Sequence, residues 1–373
     1  MAIDVVPYTE EWIPAVQAFN RRMAEAGMHW GWYETPVDRW LPERGDARTW
    51  REHYLAVEDG RDVRGGYALK PHEWRVCGAT HLVTDWQGPI TEGVYSRRYN
   101  TLGLRLLREM LRQYPLLYSW GHGGLEQPML VMLEKLGWLI HRTPFCLRVL
   151  RPLRFLRDNA YLRDTAARRL ALDLAAFSGA GSVGLRLLHA AQRARGSRSA
   201  PAGASEFERF EGWADELWAR VRDEYAVIAL RDAATMNHLL PGGGWPAARK
   251  LRVMRGDRTL GWAVVMDTAM ENDRRFGTLR VGSLVDALAS PADAEAVVGA
   301  AYRDLRARGV DIVILNQAHP AWIAGFASHG FAILANRRAF AASPELQKAM
   351  APFEETRLGL HLTNMDGHGP MRL

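Results

Sequence analysis

The sequence predicts an α/β fold (α+β with mixed sheets) in which two tandem modules are joined by a helical linker. Three observations predict it: strand-like and helix-like segments alternate, the same order of segments occurs twice, and a basic helical stretch separates the two sets. At 373 residues the chain is long for one domain and natural for two, and a 48% hydrophobic fraction allows two cores.

In the first half, HYLAVEDGRDVRGGYALK reads as two strands with a turn at Asp59-Gly60, and THLVTDWQGPITEG as a further extended stretch. GLRLLREMLRQ has helical period, with Leu104, Leu107 and Leu111 on one face. PLLYSWGHGG is a short strand ending in glycines. MLVMLEKLGW is a helix stopped at Gly137, and LIHRTPFCLRVL closes the set as a strand.

The second half repeats the order: a hairpin in KLRVMRGDRTLGWAVVMD, the strand TLRVGSLVDAL, the helix ADAEAVVGAAYRDLRARG, the strand DIVILNQ, the helix AWIAGFASHGF and the strand AILANRRAFAA. Gly66 and Gly137 stand 71 positions apart, Gly261 and Gly330 69. The expected division is 1–150 for the first module, 151–204 for a basic helical segment and flexible linker, 205–350 for the second module and 351–373 for a tail.

The net charge of +6 lies in the middle. From Arg151 to Ser205 ten Arg stand against three Asp, a balance of +7, so the rest of the chain is close to −1. A uniformly basic surface for duplex nucleic acid is therefore not supported. Across 151–195, Arg mixed with Leu, Ala and Phe has two readings. One is an amphipathic helix touching anionic lipid headgroups, and the other a helix pair packing on the modules with Arg snorkelling outward. The stretch GSRSAPAGAS reads as a flexible linker.

No run of 18 apolar residues suggests a membrane-spanning helix, and MAIDVVPYTEEW carries acids where a signal peptide carries bases. Two cysteines make neither a disulfide framework nor a zinc site, and the cytoplasm is the expected location. The chain lacks H-E-x-x-H, paired-Cys and Walker motifs, which leaves metal enzymes and NTPases without support.

The first half resembles a GNAT-type N-acetyltransferase domain through the strand ending near Glu92, the loop VYSRRYNTLG, the helix GLRLLREML and the unit ending EKLGW. Family members carry an Arg/Gln-x-x-Gly-x-Gly/Ala loop before that helix. The matching stretch here is Arg98-Tyr99-Asn100-Thr101-Leu102-Gly103, with Thr in place of the middle Gly. The resemblance implies an acyl-CoA pyrophosphate, from acetyl-CoA or another acyl-CoA, held by Val94, Arg97, Arg98, Thr101, Leu102 and Gly103. Physically, N–H groups at a helix N-terminus and nearby guanidiniums attract an anion. In the second half the corresponding loop, Asp286 to Asp293, has acids and no Arg, so like charges repel phosphate there.

The two-module layout is similar to tandem GNAT and Fem-like acyltransferases, which implies a small-molecule amine acceptor such as an amino sugar or a polysaccharide precursor. Two alternatives remain: a non-catalytic binding protein, or an aminoacyl-transfer enzyme using charged tRNA.

Acyl transfer needs a base, an acid for the leaving thiolate and donors for the oxyanion. Glu92 and Asp85 are the base candidates, and the backbone near Gly93 and Val94 the oxyanion donor. The family's acid, a Tyr in the last helix, corresponds to Leu133 here and to Phe326 in the second module. Tyr118 and His122 are the substitutes within reach. Trp30, Trp32, Tyr33, Trp40 and Trp50 either line an acceptor groove or staple a loop. The closing HLTNMDGHGP is similar to an ending seen in two-module proteins of this kind, while its composition alone reads as an exposed tail.

Overall fold

The chain is described by a computed structural model covering residues 2–35, 41, 46–123, 128–159, 202–242, 247–273 and 275–369. Two compact units result, and neither is contiguous in sequence. The first takes 1–120, 127–140 and 340–352, and the second takes 121–126, 141–339 and 353–373.

The first unit opens with β1 (Ile3–Pro7) and α1 (Ile13–Glu25), followed by β2 (Glu52–Glu58), β3 (Asp62–Val76), β4 (Ala79–Thr91), α2 (Leu102–Gln113), β5 (Leu117–Gly123, to Trp120 in this unit) and α3 (Pro128–Lys135). β1 to β4 form an antiparallel run, and β4 pairs with β5 in parallel. Phe340–Ala342 then lies beside β5, where Ser343 donates its N–H to the Leu117 carbonyl at 2.9 Å. α1 starts with Pro14 in its first turn and buries Val16, Phe19 and Met23, at helical spacing, against Leu55, Val57, Val63 and Ala68.

α2 buries Leu102, Leu106, Leu107 and Met110, so the expected stripe through Leu104 and Leu111 sits off the packed face. The helix begins at Leu102, inside what reads as loop, and that start sets which residues face the sheet. Gly137, at φ 79°, ends the turn after α3, as the sequence predicts.

The second unit contains most of β6 (Leu139–Val149), then α4 (Pro152–Asp158), β7 (Gly203–Phe207), α5 (Gly212–Val221), β8 (Val227–Ala229), α6 (Ala233–Leu239), β9 (Ala248–Arg255), β10 (Arg258–Ala269), β11 (Arg280–Ala289), α7 (Ala294–Ala307), β12 (Ile312–Asn316), α8 (Pro320–Ser328) and most of β13 (Ala332–Ala342). Its strand order is β13-β6-β12-β11-β10-β9-β7, with β11 and β12 parallel. α9 (Pro344–Ala349) belongs to the first unit and α10 (Phe353–Thr356) to the second.

Two expectations change. Gly203–Ser205, read as the end of a flexible linker, are the start of β7 and pair with Arg252–Met254 of β9. The tail read as exposed is buried at Leu360–Thr363, Met365 and Asp366, because its polar groups find partners inside the second unit. The basic stretch beyond Asn159 lies outside the described residues up to Pro201. No described helix is long and apolar enough to cross a membrane, and no described group of His, Cys, Asp or Glu is arranged to hold a metal ion.

Candidate functional site

β4 and β5 pair at Thr84–Leu117 and Asp85–Tyr118, where their described register stops, although β4 runs on to Thr91 and β5 to Gly123. Just past this point β4 carries a bulge. Gly66 faces Ile90 and Ala68 faces Gln87, so three residue steps of β4 oppose two of β3. Pro89 sits within it and has no N–H to give to a ladder. A bulge bends its strand, and here it bends β4 where it would otherwise continue beside β5. The two parallel strands therefore part, and β4 leads from the gap through two short 3-10 turns into α2.

Those turns are braced by charge. Glu92, 3% exposed, accepts from Arg22 at 2.7 Å and from Arg64 at 3.3 Å. Glu58 accepts from Arg64 and Arg98, each at 2.8 Å, and from the Tyr99 hydroxyl at 2.9 Å. Burial works to raise the Glu58 carboxyl, but the bonds from Tyr99, Arg64 and Arg98 outweigh it and hold it below the usual range. The Tyr99 phenol is pushed up by burial and by its bond to Glu58. Gly93 is needed in this turn, since a side chain there would run into the Tyr99 carbonyl.

This brace changes two expectations. Glu92 is engaged by two guanidiniums and holds the turn, which leaves it poorly placed as a proton acceptor. Arg98 spends one nitrogen on Glu58 and so tethers the loop, while Arg97 and Thr101 stay exposed. Leu102 is buried as the first residue of α2, and the space over Gly103 is open where any side chain would begin. Val94 is 53% exposed at the end of the first turn. A helix N-terminus with open space over its glycine and an outward Arg suits a phosphate, so these residues fit the group that the resemblance implies.

Beside the gap, one face of β2–β3–β4 carries buried polar groups. Lys70 lies directly opposite Asp85, and Asp85 accepts from the Gln87 amide at 2.6 Å. Gln87 in turn accepts from Arg51 at 2.6 Å, which fixes its amide with the N–H toward Asp85. His53 stands opposite Ala68, which stands opposite Gln87, in one cross-strand row. The His53 ring meets Trp32 and Tyr33 edge-on, and burial, with Arg51 adding, pushes its imidazole down to about 3. Trp32 is stapled to α1 by Asn20, which bonds both its N–H and its carbonyl. Trp30 is exposed, Trp50 bonds Glu52, and Trp40 lies outside the described residues.

Tyr118 does not face the gap as a free acid. It is wholly buried, with its ring against Trp74 and Phe340, so packing has claimed it. His122 occupies the sixth position of β5, and its side chain lies outside the described part. Leu133 and Phe326, at the places of the family's acid, are core residues. In the second unit Asp286 is buried against Arg231, and Asp293 pairs with Arg258 at 2.8 Å. A cavity of about 730 Å³ between the start of α7 and α8 is lined by Ala, Gly, Ser, Pro and apolar residues, and its one charged lining residue is Glu295.

No protein-family model matches the chain, and no curated protein does. Solved structures match its fold. N-myristoyltransferase of Saccharomyces cerevisiae with bound myristoyl-CoA is similar over 91% of this chain and 82% of its own, at 13% identity and a TM-score of 0.54. A GCN5-related glucosamine N-acetyltransferase region of a fungal multi-domain β-N-acetylglucosaminidase is similar over 91% of this chain and 38% of that one, at 12% identity and a TM-score of 0.52. The chain has the fold of GNAT-type acyltransferases.

Proposed function

We propose that the chain is an acyl-CoA-dependent N-acyltransferase that acylates an amine of a small molecule, with an amino sugar or a cell-envelope or polysaccharide precursor as the acceptor class. The observation that carries this reading is the parting of β4 from β5 beside the open N-terminus of α2, within a fold shared with N-acyltransferases. Arg97, the Thr101 hydroxyl and the backbone of Leu102 and Gly103 would hold the pyrophosphate of acetyl-CoA or a longer acyl-CoA. When bound, the acyl-CoA would supply a thioester carbonyl for the amine to attack.

Asp85 is the base in this reading. It stands at the last parallel pair before the gap, and the Arg51–Gln87 chain orients its carboxylate. It takes the amine proton, while backbone N–H groups near Val94 stabilise the oxyanion. His122, whose side chain lies outside the described part, stays an acid candidate from the sequence alone, and the leaving thiolate takes its proton from solvent. Glu92 and Arg98 keep the loop in register.

Calorimetric titration with acetyl-CoA and myristoyl-CoA, followed by amine-dependent release of free thiol, tests this. Heat is expected with the wild type and is expected to fall about tenfold in affinity with Arg97→Glu. No binding of either thioester by the wild type would contradict the reading.

A further inference from the structure

The second unit builds the same strand gap and then fills it. β11 and β12 pair at Val281–Ile312, Gly282–Val313 and Ser283–Ile314, after which β11 runs on to Ala289. One step past the last pair, Val264 faces Asp286 and Val265 faces Leu284, so Val285 is the extra residue of a bulge. β4 carries a bulge too, beginning two steps past its own last pair.

The segment Leu360–Asp366 enters this gap. Leu360 bridges Val227 in parallel, and His361 donates its N–H to the Val227 carbonyl at 2.9 Å. On the β11 side, the Thr363 hydroxyl donates to Asp286 at 2.9 Å. On the β12 side, the Asn316 amide donates to the side-chain oxygen of Asn364 at 2.7 Å. Arg231 ties the segment to β11, with its guanidinium 3.1 Å from Asp286 and 2.8 Å from Asp366. Thr363 and Asp366 close a capping box, which makes the segment a defined turn. Tyr225 completes the enclosure: its hydroxyl donates to the Ala289 carbonyl at 2.7 Å and its ring lies against His361.

We infer that Leu360–Asp366 is the built-in occupant of the β11–β12 gap, a latch that closes the second module to any thioester arm. The latch touches both edges of the opening, and its bonds are specific to each. Two carboxylates around one buried guanidinium add little stability over apolar packing, but they admit one seating of the segment. That is the property a latch requires.

Hydrogen exchange on the full chain tests the latch without any acyl-CoA. In the wild type, amides of 360–366 and of 284–289 should exchange at rates typical of the core. In a Thr363→Val/Asp366→Asn double variant both segments should speed up together by roughly tenfold, with 86–91 of β4 unchanged. If the double variant does not fold, Asn364→Ala, which gives up only the bond to Asn316, should show a smaller joint increase. Fast exchange of 360–366 in the wild type, or a β11 whose exchange ignores loosening of the segment, would overturn the inference.

Discussion

The two strand gaps are built alike and end differently. Each follows a short parallel pairing, each has a bulge in the bent strand just beyond it, and each leads through a 3-10 turn into a helix. In the first, Arg97 and Thr101 face outward and the space over Gly103 is open. In the second, the acids are taken by Arg231 and Arg258, and the chain's own tail lies across the opening. Under the proposed function, the repeated backbone sets where a ligand can enter, and the side chains at the opening set whether it does.

The largest effect should come from breaking the latch at its centre. Arg231→Leu leaves Asp286 and Asp366 buried without their cation and is expected to cost about 3–5 kcal/mol in denaturant unfolding. A loss below about 1 kcal/mol would mean that the ionic cluster does not hold the segment.

The first gap should respond in rate where the second responds in stability. Asp85→Asn is expected to lower kcat by about 10²–10⁴-fold. Glu92→Gln should weaken acyl-CoA binding and cost about 1–3 kcal/mol, with kcat much less affected, since its partners Arg22 and Arg64 are partly exposed. If the two variants exchange behaviour, Glu92 is the base. Gly103→Asp separates folding from binding: an acid in the first turn of α2 should raise stability by about 0.3–1 kcal/mol, while acyl-CoA affinity drops about tenfold or more.

The smallest effects are slopes with pH, and they run in opposite directions. Burial pushes the Asp286 carboxyl up to about 6, against the pull of Arg231 and with Asp366 adding. Its folded value lies above its ordinary 3.8, so its contribution is present at low pH and lost as pH rises through about 6. His53 is held down at about 3, so its contribution is present above about 6.5 and lost as pH falls toward 3. Between pH 6 and 4, Asp286→Asn should therefore lose more stability than the wild type, and His53→Phe less. Chemical denaturation across that window reads both.

Much of the module order is legible in the sequence because period-2 and period-3.6 patterns alternate and glycine stops recur at Gly137 and Gly330. Part of the site is legible too. Asp85 is named from the sequence as a base candidate, but Lys70 opposite it is not, because that pairing depends on a two-residue turn at Cys77-Gly78. The brace is not legible, because Arg22, Glu58, Arg64 and Glu92 come from four separate elements. Arg98 reads as a phosphate ligand, and its bond to Glu58 is not legible beside that reading. The tail reads as exposed from its Asp, Gly, His and Asn content, and its burial depends on Arg231, 135 positions away.

The central claim is that one gap is open and one is closed, and native mass spectrometry of the full chain with excess acetyl-CoA or myristoyl-CoA tests it most directly. One thioester per chain is expected, lost in Gly103→Asp and kept in Asn364→Ala. Two per chain in the wild type, or one that survives Gly103→Asp, would contradict it.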